Sequence, residues 1–358
     1  MKSRLKVIIS INIIILILIS CNGSMHREKA GQTVRPLKDT IGFAQYMWQM
    51  DSLMSRMTRR GWMRTEGEPW KLAICPHDDY TYVGELYPEL LQHVKARNLI
   101  LIGVAHRAAA MGIEDSLVFD SFSEWKGPWK NIPVSPAREE ILNLLGGRCG
   151  MVNDSLHRIE HSIEAMIPFL QYFNRDITFV PILVPAMSTD RMEACGKALA
   201  GAISIVAKKH DWILGKDYAI IVTTDAVHYG NEDWGGSDYA FFGCDENGNT
   251  MACDHEHEII DSCLIGELSP LKIRKFNSYT LQEENFRKYK WTWCGRYCIP
   301  VALYTSYYLS DGKLLSGELV GYSTSIKSDH VPVDDIRMGR TAIATPCHWV
   351  GYASIGYR

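Results

Sequence analysis

Short apolar runs alternate with stretches of three- and four-residue hydrophobic spacing along most of the chain. Residues 71–75, 99–104, 179–184 and 218–223 are near-continuous apolar runs of strand length, the pattern of strands buried on both faces. Between them, residues 86–96, 137–145, 162–173 and 191–209 carry helical spacing. Strand alternating with helix predicts a layered α/β/α domain with a largely parallel central sheet. From Leu314 the pattern changes. Residues 320–326, 341–345 and 349–355 alternate and carry Tyr, Thr and Ser, which predicts added C-terminal antiparallel strands. Upstream, residues 40–59 place Ile41, Phe43, Met47, Met50, Leu53, Met54 and Met57 at mixed spacings of three and four, which predicts one amphipathic helix. Its methionine stripe reads as core packing and not as a soft-metal site. No repeat or low-complexity linker divides residues 40–358, so they are expected to form one domain.

The N-terminus has a different grammar. Lys2, Arg4 and Lys6 precede an uncharged run over residues 7–20, interrupted only by Ser10, Asn12 and Ser20. As a helix that run rises about 21 Å, short of the roughly 30 Å hydrocarbon core, so it reads as the apolar region of a signal peptide. It ends in Leu18-Ile19-Ser20-Cys21, which resembles the bacterial lipobox, with Cys21 as the lipidated residue. The expected organisation is a lipoprotein signal peptide over 1–21, a flexible linker over 22–39 and the domain over 40–358. An uncleaved N-terminal anchor is the alternative. Either way the body is expected to face the periplasm as an envelope protein tethered to a membrane, which of the two being open.

Composition narrows the partners. Hydrophobic residues make up 46% and charged residues 22%, as in a folded globular protein. The net charge of −3 lacks the basic excess of a nucleic-acid binder, so a small molecule and the membrane are the expected partners. Besides Cys21 there are nine cysteines, an odd number, so at least one stays unpaired or acts as a ligand. They show no tandem CxxC spacing, which removes a structural zinc module.

The chemistry-bearing residues cluster just past the strand ends. The first run leads into Pro76-His77-Asp78-Asp79, the second into Ala105-His106, and the fourth into Asp225-Ala226-Val227-His228. The carboxyl ends of parallel strands form the ligand crevice of α/β sheets, and imidazoles converging there suit a divalent metal. Two further segments stand out. His161, in Glu160-His161-Ser162-Ile163-Glu164, sits where a helix is expected to open, either facing the crevice or simply exposed beside an N-capping Ser162. Cys294 lies beside Gly295 and Arg296, just before an apolar helix, a setting that favours a thiolate; a Cys294–Cys298 disulfide is the alternative. The conspicuous Asp254-His255-Glu256-His257-Glu258 reads as a solvated helix face, because its histidines are two apart. HExxH, GxSxG, P-loop and GxGxxG motifs are absent from the sequence.

The order PHxxY, GxxH, EHSIExxxPFL, DxxHYG and CGR resembles the Memo-like proteins, the B component of the bacterial AmmeMemoRadiSam system. The resemblance spans roughly residues 70–306, with a continuation in the C-terminal WVGYASIGY of residues 349–357. It implies a layered α/β fold similar to the class III extradiol ring-cleaving dioxygenases, and functional partners among the other AmmeMemoRadiSam components. By the resemblance, His77, His106 and Cys294 are the ligands of iron or, alternatively, copper, and Asp225, His228 and His161 line the same pocket as catalytic candidates. It also implies a non-haem metal-dependent redox enzyme acting on a small, possibly aromatic substrate; the alternative is an iron- or copper-binding or delivery protein without turnover. The chain departs from the family pattern at Asp78-Asp79, where small residues are usual and where the two carboxylates are expected to add negative charge at the pocket mouth. It departs again at Val104-Ala105, Thr223-Thr224 and Cys298.

Overall fold

The computed structural model describes residues 33–61, 67–230, 239–310, 314–327 and 329–358. The expected leader and Cys21 lie outside the described residues. A sheet of ten strands forms the centre: β1 (Leu72–Cys75), β2 (Asn98–Val104), β3 (Leu117–Phe119), β4 (Gly150–Val152), β5 (Thr178–Val184), β6 (Tyr218–Thr223), β7 (His228–Gly230), β8 (Gly266–Glu267), β9 (Ser316–Thr324) and β10 (His348–Tyr357). The spatial order is β8-β9-β10-β1-β6-β2-β5-β3-β4, and β7 pairs with β10. The four strands expected from their apolar runs, β1, β6, β2 and β5, lie parallel and adjacent. The C-terminal β9 and β10 extend the sheet antiparallel beside β1, as their alternation predicts.

Successive residues of a strand point to opposite faces, and here each face has its own core. Ile100, Ile102, Ile182 and Val222 pack in one core with Ile141 of α3 (Ala137–Leu145), Met192, Leu199 and Ile203 of α5 (Thr189–Lys209), Ile273 of α7 (Pro270–Thr280), and Ile299 and Leu303 of α8 (Cys298–Leu309). Leu99, Leu101, Leu183 and Ile221 pack on the other side. There they meet Met50, Leu53, Met54 and Met57 of α1 (Met47–Arg59), Leu90 of α2 (Leu86–Leu91) and Phe169 of α4 (Ile167–Phe173). Met50, Met54 and Met57 of the methionine stripe are therefore core. The two long helices of the first layer approach closely at Gly196, where a Cβ would come within 2.6 Å of the Tyr304 Cβ.

Several boundaries differ from the sequence expectation, each for a local reason. Helix α1 starts at Met47, because the Asp39 carboxylate accepts the Ile41 and Gly42 N–H groups and holds residues 39–42 in a turn. Ile41 and Met47 are exposed as a result. The segment 162–173 breaks into a 3₁₀ turn (Glu164–Met166) and α4, where Pro168 removes an N–H and restarts the helix. Residues 341–345 are not a strand; within this run only Thr345 bridges, to His348. The part of the expected linker within the described residues is packed rather than flexible. Val34–Arg35 pairs with Glu124–Trp125, and the buried Arg35 guanidinium donates to Glu164 and to the His157 and Glu160 carbonyls.

The helix α6 (Glu246–Ile259) corrects one more expectation. His255 and His257 lie on its partly exposed flank, but Glu256 is fully buried, so the cluster is not a solvated face. The described cysteines form one disulfide, Cys244–Cys347, and Cys294 and Cys298 are both free.

Candidate metal centre

The parallel strands deliver their trailing residues to one end of the sheet, as their shared direction requires. His77 follows β1, Asp225 follows β6 and His106 follows β2, and these three strands are neighbours in that order. His228 opens β7, and Cys294 lies just ahead of α8. The result joins groups separated by more than two hundred residues of sequence. Cys294 Sγ lies 3.3 Å from His106 Nε2 and 3.7 Å from His77 Nε2. These three atoms all lie within 4.8 Å of one another. Metal–nitrogen bonds near 2.0 Å and metal–sulfur bonds near 2.3 Å, at a tetrahedral angle, place N and S about 3.5 Å apart. The observed separations bracket that value, so the residues fit a single ion.

The orientation of each imidazole is set by its other nitrogen. The Thr223 hydroxyl spends its one proton on the Ser162 carbonyl at 2.7 Å, so toward His77 it can only accept. His77 Nδ1, 3.2 Å away, therefore donates to it, and Nε2 is the nitrogen turned toward Cys294. His106 is arranged the same way. Its Nδ1 donates to Glu160 Oε1 at 2.9 Å, and Nε2 points at the sulfur. A carboxylate or hydroxyl behind a ligating imidazole is the usual outer support of a metal site.

The charges are mutually dependent. Burial alone would raise the Cys294 thiol, but the His106 and His77 imidazoles hold it well below its ordinary value. Burial disfavours the His106 cation, yet Glu160 and Cys294 raise that imidazole well above the usual range. Glu160 is held below the ordinary carboxylate range against its own burial, chiefly by His106. Four protein groups also fix its oxygens, the His106, His161 and Ser162 backbone N–H groups and the His106 ring.

Asp225 links the proposed ligands to the acid/base candidate. Its Oδ1 accepts the His77 backbone N–H at 2.9 Å. Its Oδ2 lies 3.5 Å from His77 Nε2 and 3.6 Å from His228 Nε2. Burial is outweighed by these imidazoles, so Asp225 falls to about 2. Burial opposes the His228 cation too, but Asp225 and Cys294 bring His228 up to about 10. His161 stacks on His106 with ring centroids 5.0 Å apart and planes 5° from parallel. Burial and the adjacent His106 lower it to about 4, which leaves it neutral. It faces the cavity rather than serving as a bystander next to a cap, since Ser162 instead donates its hydroxyl to the Val104 carbonyl.

These groups line a cavity of about 660 Å³ together with Lys38, Arg107, Tyr82 and Trp349. Cys294 is buried and does not line it. The two aspartates after His77 add less charge at the mouth than their sequence implies. Asp78 lines the cavity but accepts the Tyr352 hydroxyl, and burial with the nearby Asp225 raises it to about 6. Asp79 turns inward to the Thr341 backbone and hydroxyl, and burial and Asp78 raise it to about 7.

Five of the six candidate residues from the sequence thus line one cavity, and the sixth, Cys294, lies buried against His77 and His106. Sequence reasoning gives no role to Glu160 or Thr223. The density of polar residues around His161 is the available signal for Glu160, whereas Thr223 looks like an ordinary strand end. At the chain's end, Ser325, Thr341 and His348 line the cavity without belonging to any motif, and Trp349 opens the WVGYASIGY stretch.

Residues 45–335 match the family model described as Memo-like protein. A MEMO1 family protein of Methanosarcina barkeri is 32% identical over 159 residues, covering 44% of this chain and 54% of that protein. One from Pyrococcus abyssi is 26% identical over 168 residues, covering 44% and 53%. One from Archaeoglobus fulgidus is 23% identical over 254 residues, covering 71% and 79%. The chain thus spans about half the length of the first two relatives and more of the third. The motif order, the α/β topology and the family match agree: the chain belongs to the Memo-like protein family.

Proposed function

We propose that this protein is a metal-dependent redox enzyme in which His77, His106 and Cys294 hold one iron ion, with copper as the rival, and which acts on a small aromatic substrate. The observation that carries the reading is the convergence of two supported imidazoles on one sulfur. Thr223 and Glu160 hold the two Nδ1 atoms and leave both Nε2 atoms directed at a thiolate-prone Cys294. Two imidazoles and a thiolate leave coordination positions open, and a metal bound there would supply Lewis acidity and one-electron chemistry. The remaining groups act on the substrate. His228, held by Asp225 beside the ligands, is placed to hold and move a proton at Nε2. His161 presents a neutral imidazole to the cavity, and Trp349 and Tyr82 give it aromatic walls.

The polar lining narrows the substrate. Asp39, Asp78, Glu160 and Asp225 each accept hydrogen bonds from the protein. The Lys38 ammonium and the Arg107 guanidinium pair with no carboxylate among the described residues, so an anionic group on the substrate would complete the cavity. An O₂-consumption screen of the iron-loaded protein with dihydroxybenzoates and catechol tests the reading. Absence of any turnover with metal fully bound favours the second reading, metal binding or delivery without catalysis. The feature that favours that reading is the buried thiolate, a soft donor well suited to Cu(I).

We also propose that the chain is exported and lipid-anchored at Cys21. The Cys244–Cys347 disulfide supports an oxidising compartment. No helix among the described residues is long and apolar enough to cross a membrane. A Cys21→Ala variant is expected to lose lipid labelling and membrane association; retention in membranes after a carbonate wash would contradict the anchor. Functional association with other AmmeMemoRadiSam components belongs to the same proposal, and co-purification from the native host tests it.

A further inference from the structure

Glu256 is a buried carboxylate near this site to which the proposed mechanism gives no part. It reaches inward from α6, is fully buried, and is placed between two chain segments that carry the chemistry. Its Oε2 accepts the Val227 backbone N–H at 3.0 Å, and its Oε1 accepts the Trp291 indole N–H. Val227 precedes His228, and Trp291 begins the stretch that ends at Cys294.

These two segments are themselves zipped together. Val227 and Trp293 form an antiparallel bridge. The His228 N–H donates to the Thr292 carbonyl and the Cys294 N–H to the Ala226 carbonyl, both at 3.0 Å. The Thr292 hydroxyl returns a bond of 2.6 Å to the His228 carbonyl. This short ladder fixes how far His228 and Asp225 stand from Cys294. Glu256 bonds both of its rails from outside the ladder. The corner around the carboxylate is tightly filled. A Cβ on Gly351 would meet Glu256 Oε2, the Tyr322 hydroxyl and Val227 Cγ1, each at 3.2 Å.

The chemistry of the clamp requires a carboxyl group. Two N–H donors converge on it, one from each rail, so both of its oxygens must accept. A glutamine of the same shape would turn its own N–H₂ toward one of those donors. We infer that Glu256 is a positioning residue of the metal centre: by tying Val227 to Trp291 it sets the spacing between Cys294 and the Asp225–His228 pair. The inference rests on the proposed metal centre, and its role is distinct from that of a merely structural core group, which would affect folding and leave the geometry at the sulfur unchanged.

The test uses Co²⁺ as the probe in the full metal-free protein, read by the thiolate-to-cobalt charge-transfer absorption and by chelator competition. In the wild type the band reports Cys294 ligation. Glu256→Gln is expected to shift and weaken that band and to lower Co²⁺ affinity by about tenfold, the size typical of lost outer-shell support. Adding Trp291→Phe removes the donor that the glutamine amide would oppose, so the double variant should recover much of the wild-type spectrum. If Glu256→Gln does not fold, Trp291→Phe alone cuts one arm of the clamp and is expected to give a smaller shift in the same direction. A wild-type band with no change in Glu256→Gln, or, where that variant does not fold, none in Trp291→Phe, would overturn the inference. So would a double variant no closer to wild type than the single one. No thiolate band in the wild type would instead overturn the metal-centre reading itself.

Discussion

Glu160 Oε1 accepts the Nδ1–H of His106 at 2.9 Å, and the opposite nitrogen of the same ring points at Cys294 Sγ from 3.3 Å. One buried carboxylate therefore decides which face of the imidazole is available and how basic it is. Glu160→Gln keeps the size and loses the charge. Metal affinity is expected to fall about 10- to 100-fold while the ligand set stays complete. Chelator competition on the variant checks this; unchanged affinity would mean that Glu160 has no part in the centre.

His228 and Asp225 give the metal-free protein a pH signature. The folded value of His228 is near 10, above the ordinary value of about 6.5. The folded state therefore binds this proton more tightly. The stability so gained is complete below about pH 6.5 and is lost as pH rises toward 10. For Asp225, with a folded value of about 2, the contribution is present above the ordinary carboxylate value and lost on acidification. His228→Gln should flatten the alkaline decline measured by urea denaturation. An identical pH slope in variant and wild type would count against the pair.

His228→Ala separates binding from chemistry. His228 is outside the ligand group, so this variant should keep its metal and lose turnover by about 10²- to 10⁴-fold, the range for a general acid or base. Parallel metal analysis and O₂ consumption make the distinction, and full activity in the variant would remove His228 from the mechanism.

Arg35 ties the start of the domain to the same region. Its guanidinium pairs with Glu164 and lies 4.1 Å from the Trp125 ring centroid, and both charged side chains are buried. Glu164 also accepts the Lys38 and Asp39 backbone N–H groups. Arg35→Ala leaves that carboxylate uncompensated, and the expected cost is about 3–5 kcal/mol. Denaturant titration measures it; a loss below about 1 kcal/mol would show that water reaches Glu164 freely.

Much of this architecture is legible in the sequence, and the reason is physical. Strands β1, β2, β5 and β6 are buried on both faces, so their apolar runs stand out, and the residues just after them have to converge once the strands are parallel. That places His77, His106, Asp225 and His228 from pattern alone. Cys294 needs the family resemblance, because nothing local says which end of the sheet it reaches. Glu256 escapes the pattern, since helical spacing marks apolar stripes and does not register a carboxylate held by two N–H groups from distant loops. Arg35 reads as linker for the same reason. Its partners lie more than a hundred residues away.

The central claim is that His77, His106 and Cys294 hold one redox-active metal, and metal content measures it most directly. Anaerobic purification followed by elemental analysis of the wild type and of His77→Ala, His106→Ala and Cys294→Ala should give stoichiometric iron, or copper, in the wild type alone. Near-equal metal in Cys294→Ala and wild type, or a native Cys294 engaged in a disulfide, would contradict the account.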